Sequence, residues 1–144
     1  MNRNRIKTKQ QGFGLAKKVW VCKQCSTWHV AKKPVHCNAC GQDLFFYFAS
    51  KHEAQRYHEL EFMERAGMIT DLETQVKYPI EINGKKICAY FADFRYKDSE
   101  GNIIIEDTKS DERGIDIVYK LKKKLVEAIY SIEITHIYMS KRKK

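Results

Sequence analysis

The chain has no long apolar run, no signal-peptide pattern and no internal repeat. Without an apolar run there is no membrane-spanning helix to expect, and without a repeat there is no stacked array. The N-terminus, MNRNRIKTKQ, is polar and basic, unlike a secretory leader. A soluble protein of the cytoplasm, without a membrane partner, is the expectation. Acidic residues are scarce at both ends. Residues 1–50 hold nine Lys/Arg against one acid, and residues 113–144 hold nine against three. The middle, 51–112, holds nine against fourteen acids. A simple polyanion binder gains from basic charge throughout. An acidic centre between basic ends suits a chain that grips a phosphate backbone with its ends and holds a cation in its middle. A solvated charged surface is the plainer account of the same bias.

What is present begins with cysteine. Four of the five form VCKQCSTWHVAKKPVHCNACGQ: Cys22-x2-Cys25, eleven residues, then Cys37-x2-Cys40. Each C-x2-C puts two thiolates on one tight turn, and two such turns complete a tetrahedral site for Zn²⁺. Gly41 supplies the positive φ that a knuckle turn needs. Two disulfides would require an oxidising compartment, for which nothing argues, and redox C-x2-C motifs do not usually come in pairs. Four sulfur ligands close the site, so the expected zinc is structural. His29 and His36 lie within the loop and are alternative ligands that four thiolates make unnecessary. With Trp28, Lys32 and Lys33 they are expected on an exposed face, and Lys32 and Lys33 are candidate nucleic-acid contacts. Cys88, within KICAYFADF, reads as a buried small hydrophobe.

At 43% hydrophobic the 144 residues can bury one modest core and a small appended module. Residues 1–18 read as a basic arm, 19–43 as the zinc module, 44–138 as the main core and 139–144 as a basic tail. LFFYFAS (44–50) is a strand or an extended connector. SKHEAQRYHELEFMERAG (50–67) is helical, with Ser50 a candidate N-cap and Gly67 its stop. ETQVKYPIEI and KKICAYFADFRYK are strands joined by the hairpin signal Asn83-Gly84. KDSEGN is a turn, NIIIEDTKS a strand and SDERG a loop. IDIVYKLKKKLVEAIYSI is a helix with Val118, Leu121, Leu125, Ala128 and Ile129 on its apolar face. IEITHIYMS is the last strand. The order α-β-β-β-α-β gives a small mixed sheet with a helix on each side, an α+β or α/β fold.

The stretch ADFRYKDSEGNIIIEDTKS (92–110) brings carboxylates and a lysine to one hairpin. Strand alternation puts Asp107 and Lys109 on one face and Glu106 and Thr108 on the other. The hairpin lays Asp93 antiparallel to them, so Asp93 and Asp107 can converge. Two close carboxylates repel unless a cation lies between them, and a divalent ion with hard oxygen ligands, usually Mg²⁺, resolves this. A lysine on that face can activate water or stabilise charge on phosphate, the equipment of metal-dependent phosphodiester hydrolysis. A surface hairpin with ordinary cross-strand Asp–Lys pairs is the alternative. Glu53, on a stripe with Tyr57 and Leu60, supplies a third carboxylate, or else closes a Ser50-x-x-Glu53 capping box. Lys120 and Lys123, expected away from the last helix's apolar face, with Lys122 and Lys124 at its borders, form a row for a phosphate backbone.

Four stretches, SKHEAQRYHELEFMERAGMITDLETQVKYPI, YFADF, IIIEDTKS and VYKLKKKLVEAIYSIEI, together resemble the PD-(D/E)xK nuclease superfamily. More narrowly, they resemble the small phage-encoded DUF1064 proteins. The resemblance covers residues 44–138 and implies a restriction-endonuclease-like αβββαβ core. It implies that Asp93 is the first motif acid, that Asp107-Thr108-Lys109 is the D-x-K, and that Glu53 is the acid many members carry on the first helix. The superfamily's proline before the first acid is replaced here by Ala92, and the zinc module lies outside the resemblance. The implied function is a Mg²⁺-dependent DNA endonuclease of phage replication or recombination, with Mn²⁺ able to substitute. Branched DNA, as for a Holliday junction resolvase, or single-stranded DNA is the expected substrate, met in the host cytoplasm. A resolvase needs paired active sites and so a homodimer. The rival reading is a zinc-containing nucleic-acid-binding protein that does not cut, or one that docks phage replication proteins.

Overall fold

The computed structural model describes residues 18–109 and 115–138. The chain divides into two compact units, Met1–Lys51 and His52–Lys144. Nearly all of the expected basic arm, the SDERG loop and the basic tail lie outside the described residues.

The first unit holds β1 (Val19–Cys22), β2 (Trp28–Val30) and β3 (Phe45–Phe48). They form an antiparallel sheet in the order β2-β1-β3. Alternation on β1 buries Val19 and Val21 on one side, and Phe48, opposite Val19, is equally buried. The span 44–50, read from sequence as the start of the larger core, therefore supplies the third strand of the cysteine unit instead. Its phenylalanine completes the apolar side of a sheet that two short strands cannot cover.

In the second unit, α1 (Lys51–Arg65) buries Ala54, Tyr57 and Leu60, a helical stripe. The helix ends at Gly67, whose φ of 72° no β-carbon opposes. The Met68 N–H donates to the Met63 carbonyl and the Gly67 N–H to that of Glu64, both at 2.9 Å, which satisfies the last carbonyls. Strands β4 (Thr70–Ile82) and β5 (Lys85–Lys97) are joined by Asn83 and Gly84, both at positive φ, as a type I′ turn requires. Strand β6 (Ile103–Lys109) follows antiparallel to β5, and β7 (Thr135–Tyr138) returns parallel to β6 after α2 (Ile117–Tyr130). The sheet order is β4-β5-β6-β7. Its core is Tyr78, Ile80, Tyr90, Ala92, Ile105, Val126 and Ile134. Each isoleucine or valine among them contributes roughly 1.5–3 kcal/mol by leaving water. The described residues thus form a mixed α+β arrangement: a mixed four-stranded sheet with two helices, preceded by the cysteine unit.

Helix α2 departs from its expected orientation. Of the apolar face read from sequence, Val118, Leu121 and Ile129 are exposed, as is Ala128, and only Leu125 packs against the core. The buried position is Val126, flanked by half-buried Tyr119, Lys122 and Lys123. The cause is polar: Tyr119 reaches an aspartate on β6, and Lys122 Nζ donates to the Ala89 carbonyl at 3.3 Å. Those bonds rotate the helix away from its greasiest stripe. No helix among the described residues is long and apolar enough to cross a membrane.

Candidate functional site

Asp93 on β5 and Asp107 on β6 meet where the strand pairing changes character. Regular pairing runs from Lys97 opposite Ile103 to Phe94 opposite Glu106. Beyond it, the two carboxylates bridge the strands reciprocally. The Asp93 N–H donates to Asp107 Oδ1 at 2.9 Å, and the Thr108 N–H donates to Asp93 Oδ2 at 2.8 Å. Thr108 Oγ1 adds a bond to Asp93 Oδ2 at 2.9 Å, and Gln75 Nε2 one to Oδ1 at 3.3 Å. Thr108 was expected to face away from this pair. It reaches Asp93 because strict alternation between facing partners lapses where side chains replace the ladder.

Asp107 is 1% exposed. Its Oδ2 accepts hydrogen bonds from the hydroxyls of Tyr90 and Tyr119, and Lys109 Nζ lies 3.8 Å away. Burial, then the Asp107 charge and its hydrogen bond, hold the Tyr90 phenol well above its ordinary pKa. Tyr119 is raised for the same reasons, so both remain donors. The Lys109 ammonium also sits 4.0 Å over the Tyr119 ring, and Tyr119 Oη is 2.9 Å from His136 Nε2. His136 is directly opposite Asp107 in the β6–β7 register. Burial, followed by the charge of Lys123, lowers its pKa.

Asp93 carries the electrostatic consequence of this crowding. Burial first, then the charges of Asp107 and Glu53, push its carboxyl up to about 6. Glu53, half-buried in the first turn of α1, is therefore near enough to bias Asp93. Glu53, Asp93 and Asp107 do not gather as tightly as the cysteines described below. The cysteines are the one cluster of at least three His, Cys, Asp or Glu ligand atoms within 4.8 Å among the described residues. Glu106 stays off the pair, as strand alternation requires. It is buried, accepts both 2.9 and 2.8 Å bonds of the Arg56 guanidinium, and takes a 2.6 Å bond from Tyr96. Consecutive residues of β6 are thus taken up by different helices, Glu106 by α1 and Asp107 by α2.

Tyr90, Tyr119, His136 and Gln75 were not singled out from sequence. Tyr90 is three residues before Asp93 but reads as part of an apolar strand, and His136 depends on a parallel pairing no local pattern reveals. The lysines of α2 separate into two pairs. Lys120 and Lys124 are exposed, whereas Lys122 and Lys123 are half-buried, the latter paired with Glu127 at 2.9 Å. Lys122 Nζ turns to the Ala89 carbonyl on β5 and Lys123 to Glu127 on its own helix, which leaves Lys120 and Lys124 as the exposed pair.

In the first unit, Cys22, Cys25, Cys37 and Cys40 converge, all four sulfurs within 4.8 Å of one another. Cys22 and Cys40 are 3.5 Å apart, as are Cys25 and Cys37. Zinc–sulfur bonds of about 2.3 Å in a tetrahedron place sulfurs about 3.8 Å apart, so the set fits zinc. The two turns are built alike. The N–H four residues after each first cysteine returns to that cysteine's carbonyl, Ser26 to Cys22 at 2.9 Å and Gly41 to Cys37 at 2.8 Å. The N–H of each first cysteine then reaches the carbonyl five residues on, Thr27 and Gln42. Ser26 and Gly41 both adopt positive φ. Hydrogen bonds from the Thr27 side chain and backbone lower the Cys25 thiol to about 6. At Cys40 a Gln42 backbone bond lowers the pKa, but desolvation and the three neighbouring sulfurs outweigh it and push it to about 12. Four thiolates so close need a cation. His29 and His36 do not join the cluster, and Lys32 and Lys33 are exposed.

These features define the class: an α+β protein with an interlocked aspartate pair on its sheet and a separate four-cysteine module fit for zinc. The chain belongs to the DUF1064 family, described as a protein of unknown function, whose model matches residues 43–144. No curated protein and no solved structure matches it.

Proposed function

We propose that this protein is a metal-dependent DNA endonuclease of the PD-(D/E)xK type, with structural zinc in its cysteine module. The observation that carries the reading is the reciprocal Asp93–Asp107 pair with Lys109 Nζ 3.8 Å from Asp107. A surface hairpin with ordinary ion pairs would not bury an aspartate at 1% exposure. Nor would it set a second beside it with a raised pKa. The donor set, hard oxygens with excess negative charge, fits Mg²⁺ or Mn²⁺. A divalent ion bound there supplies Lewis-acid charge at phosphorus.

Asp93 and Asp107 hold the ion, and Glu53 adds negative charge from α1. Tyr90 and Tyr119 fix the Asp107 carboxylate through their hydroxyls. Lys109, stacked on Tyr119, orients the attacking water and stabilises charge growing on the phosphate. Lys120 and Lys124, exposed one turn apart on α2, contact the DNA backbone. The substrate in this reading is branched or single-stranded DNA of phage replication or recombination. Purified protein incubated with junction, flap, single-stranded and duplex DNA, with and without Mg²⁺ or Mn²⁺, tests it. Metal-dependent cutting of at least one structured substrate is expected. Binding with no cutting of any substrate would overturn the reading in favour of a non-cleaving binding protein.

A further inference from the structure

The sheet of the cysteine unit has a second side, which the zinc-fitting cluster meets only through Cys22 at the end of β1. Val19, Val21 and Phe48 lie buried on one side. Alternation sends Trp20 and Tyr47 to the other. The register places His29, Trp20 and Tyr47 directly opposite one another across β2, β1 and β3. Directly paired residues share a face, so three rings stand in one row across three strands. At about 4.8 Å per strand the row spans roughly 10 Å. The Trp20 and Tyr47 ring centroids are 5.4 Å apart, and His29 meets Phe45 edge-on, also at 5.4 Å. Tyr47 is 46% exposed, and Trp20 and His29 are half-buried, His29 with its Nε2 edge turned inward.

The charge around this row has one sign. The four cysteines lie toward one end of the sheet. At the other, the Ala31 N–H donates to the Lys18 carbonyl at 2.9 Å, which brings Lys18 beside the start of Lys32-Lys33. All three lysines are exposed. Asp43 is the one acid in residues 1–50. An apolar protein partner would leave these cations unmatched, and duplex DNA would offer no open ring faces to the aromatics.

We infer that the His29–Trp20–Tyr47 row is a stacking platform for the unpaired bases of a single-stranded polynucleotide, whose phosphates are met by Lys18, Lys32 and Lys33. Base-on-aromatic stacking beside a basic track is the general means of holding single strands without sequence readout. The inference stands whether or not the chain cuts, because it concerns binding by the cysteine unit alone.

The test is equilibrium binding of labelled oligo(dT), oligo(rU) and a duplex of equal length to the full zinc-loaded chain, with no Mg²⁺ added. Single strands should bind more tightly than duplex, with affinity falling as salt rises. Tyr47→Ala should weaken single-strand binding about tenfold and leave duplex binding within twofold, and Trp20→Ala should do at least as much. Tyr47→Phe and Trp20→Phe should keep the affinity. Zinc content and thermal unfolding identify any variant that has lost its fold. Tyr47→Ala, at a half-exposed position, decides the matter if Trp20→Ala does not fold. Unchanged single-strand affinity in a folded Tyr47→Ala protein, or equal losses on duplex and single strand, would overturn the inference.

Discussion

Asp93 is the residue on which burial and charge act most directly. Its carboxyl, raised from 3.8 to about 6, binds a proton more tightly in the folded protein than in the unfolded chain. Its contribution to the stability of metal-free protein therefore falls as pH rises from about 4 to about 6 and is fully lost above that window. At 1.36 kcal/mol per pKa unit the cost at neutral pH is about 2–3 kcal/mol. Asp93→Asn should accordingly raise the metal-free melting temperature at neutral pH and change it little below pH 4, as thermal unfolding at a series of pH values would reveal. A destabilised Asn variant at neutral pH would show that the carboxylate is already compensated. At this scale much was legible in the sequence. Strand alternation separated Asp107 from Glu106, and the two C-x2-C spacings located four sulfurs that do converge. Thr108 was misplaced because the alternation rule presumes an unbroken ladder, which the aspartates themselves interrupt. Tyr90 and Tyr119 escaped because a buried tyrosine reads as bulk until its hydroxyl's partner is seen.

Buried polar bonds join the helices to the sheet. Arg56 of α1 and Glu106 of β6 form a two-bond pair, with Glu106 almost wholly buried. The hydrogen bonds to Glu106 hold the guanidinium's pKa above its ordinary value. Arg56→Ala leaves a buried carboxylate with Tyr96 but no counter-charge, and should cost about 3 kcal/mol in chemical denaturation. Adding Glu106→Leu to that variant should restore part of the loss, since two apolar groups leave no buried charge. A single-variant cost below about 0.5 kcal/mol would mean that the pair behaves as an exposed one. The hairpin at Asn83-Gly84 and the helix stop at Gly67 were readable because positive φ has a residue signature. The facing of α2 was not. Its apolar moment points one way, but Tyr119 and Lys122 bind Asp107 and Ala89 the other, so polar tertiary bonds override periodicity. Lys122 is held to Ala89 and Lys123 to Glu127, so Lys120 and Lys124 are the exposed lysines of that helix.

Over the whole molecule, two units carry two different polar clusters: four sulfurs fit for zinc in the first, an interlocked aspartate pair in the second. The first has a short three-stranded sheet and should depend on its zinc. A strong chelator should release one zinc per chain and abolish the first unit's unfolding transition. The second unit, with its own core around Ile80 and Ile134, should keep its transition. Retention of both transitions in zinc-free protein would contradict a structural metal. The αβββαβ succession of the second unit and its two hairpin pairings followed from sequence, but the parallel pairing of β7 with β6 and the placement of β3 with the cysteines did not, since an apolar tetrapeptide does not name its neighbour. In the function proposed for it, the Asp93–Asp107–Lys109 group cuts phosphodiesters. The most direct measurement compares wild type, Asp107→Asn and Lys109→Ala on the substrate that wild type cleaves fastest in Mg²⁺, with binding measured in parallel. Loss of cleavage by at least about a hundredfold in both variants, with binding retained, is the predicted result. Full cleavage by both folded variants would contradict it.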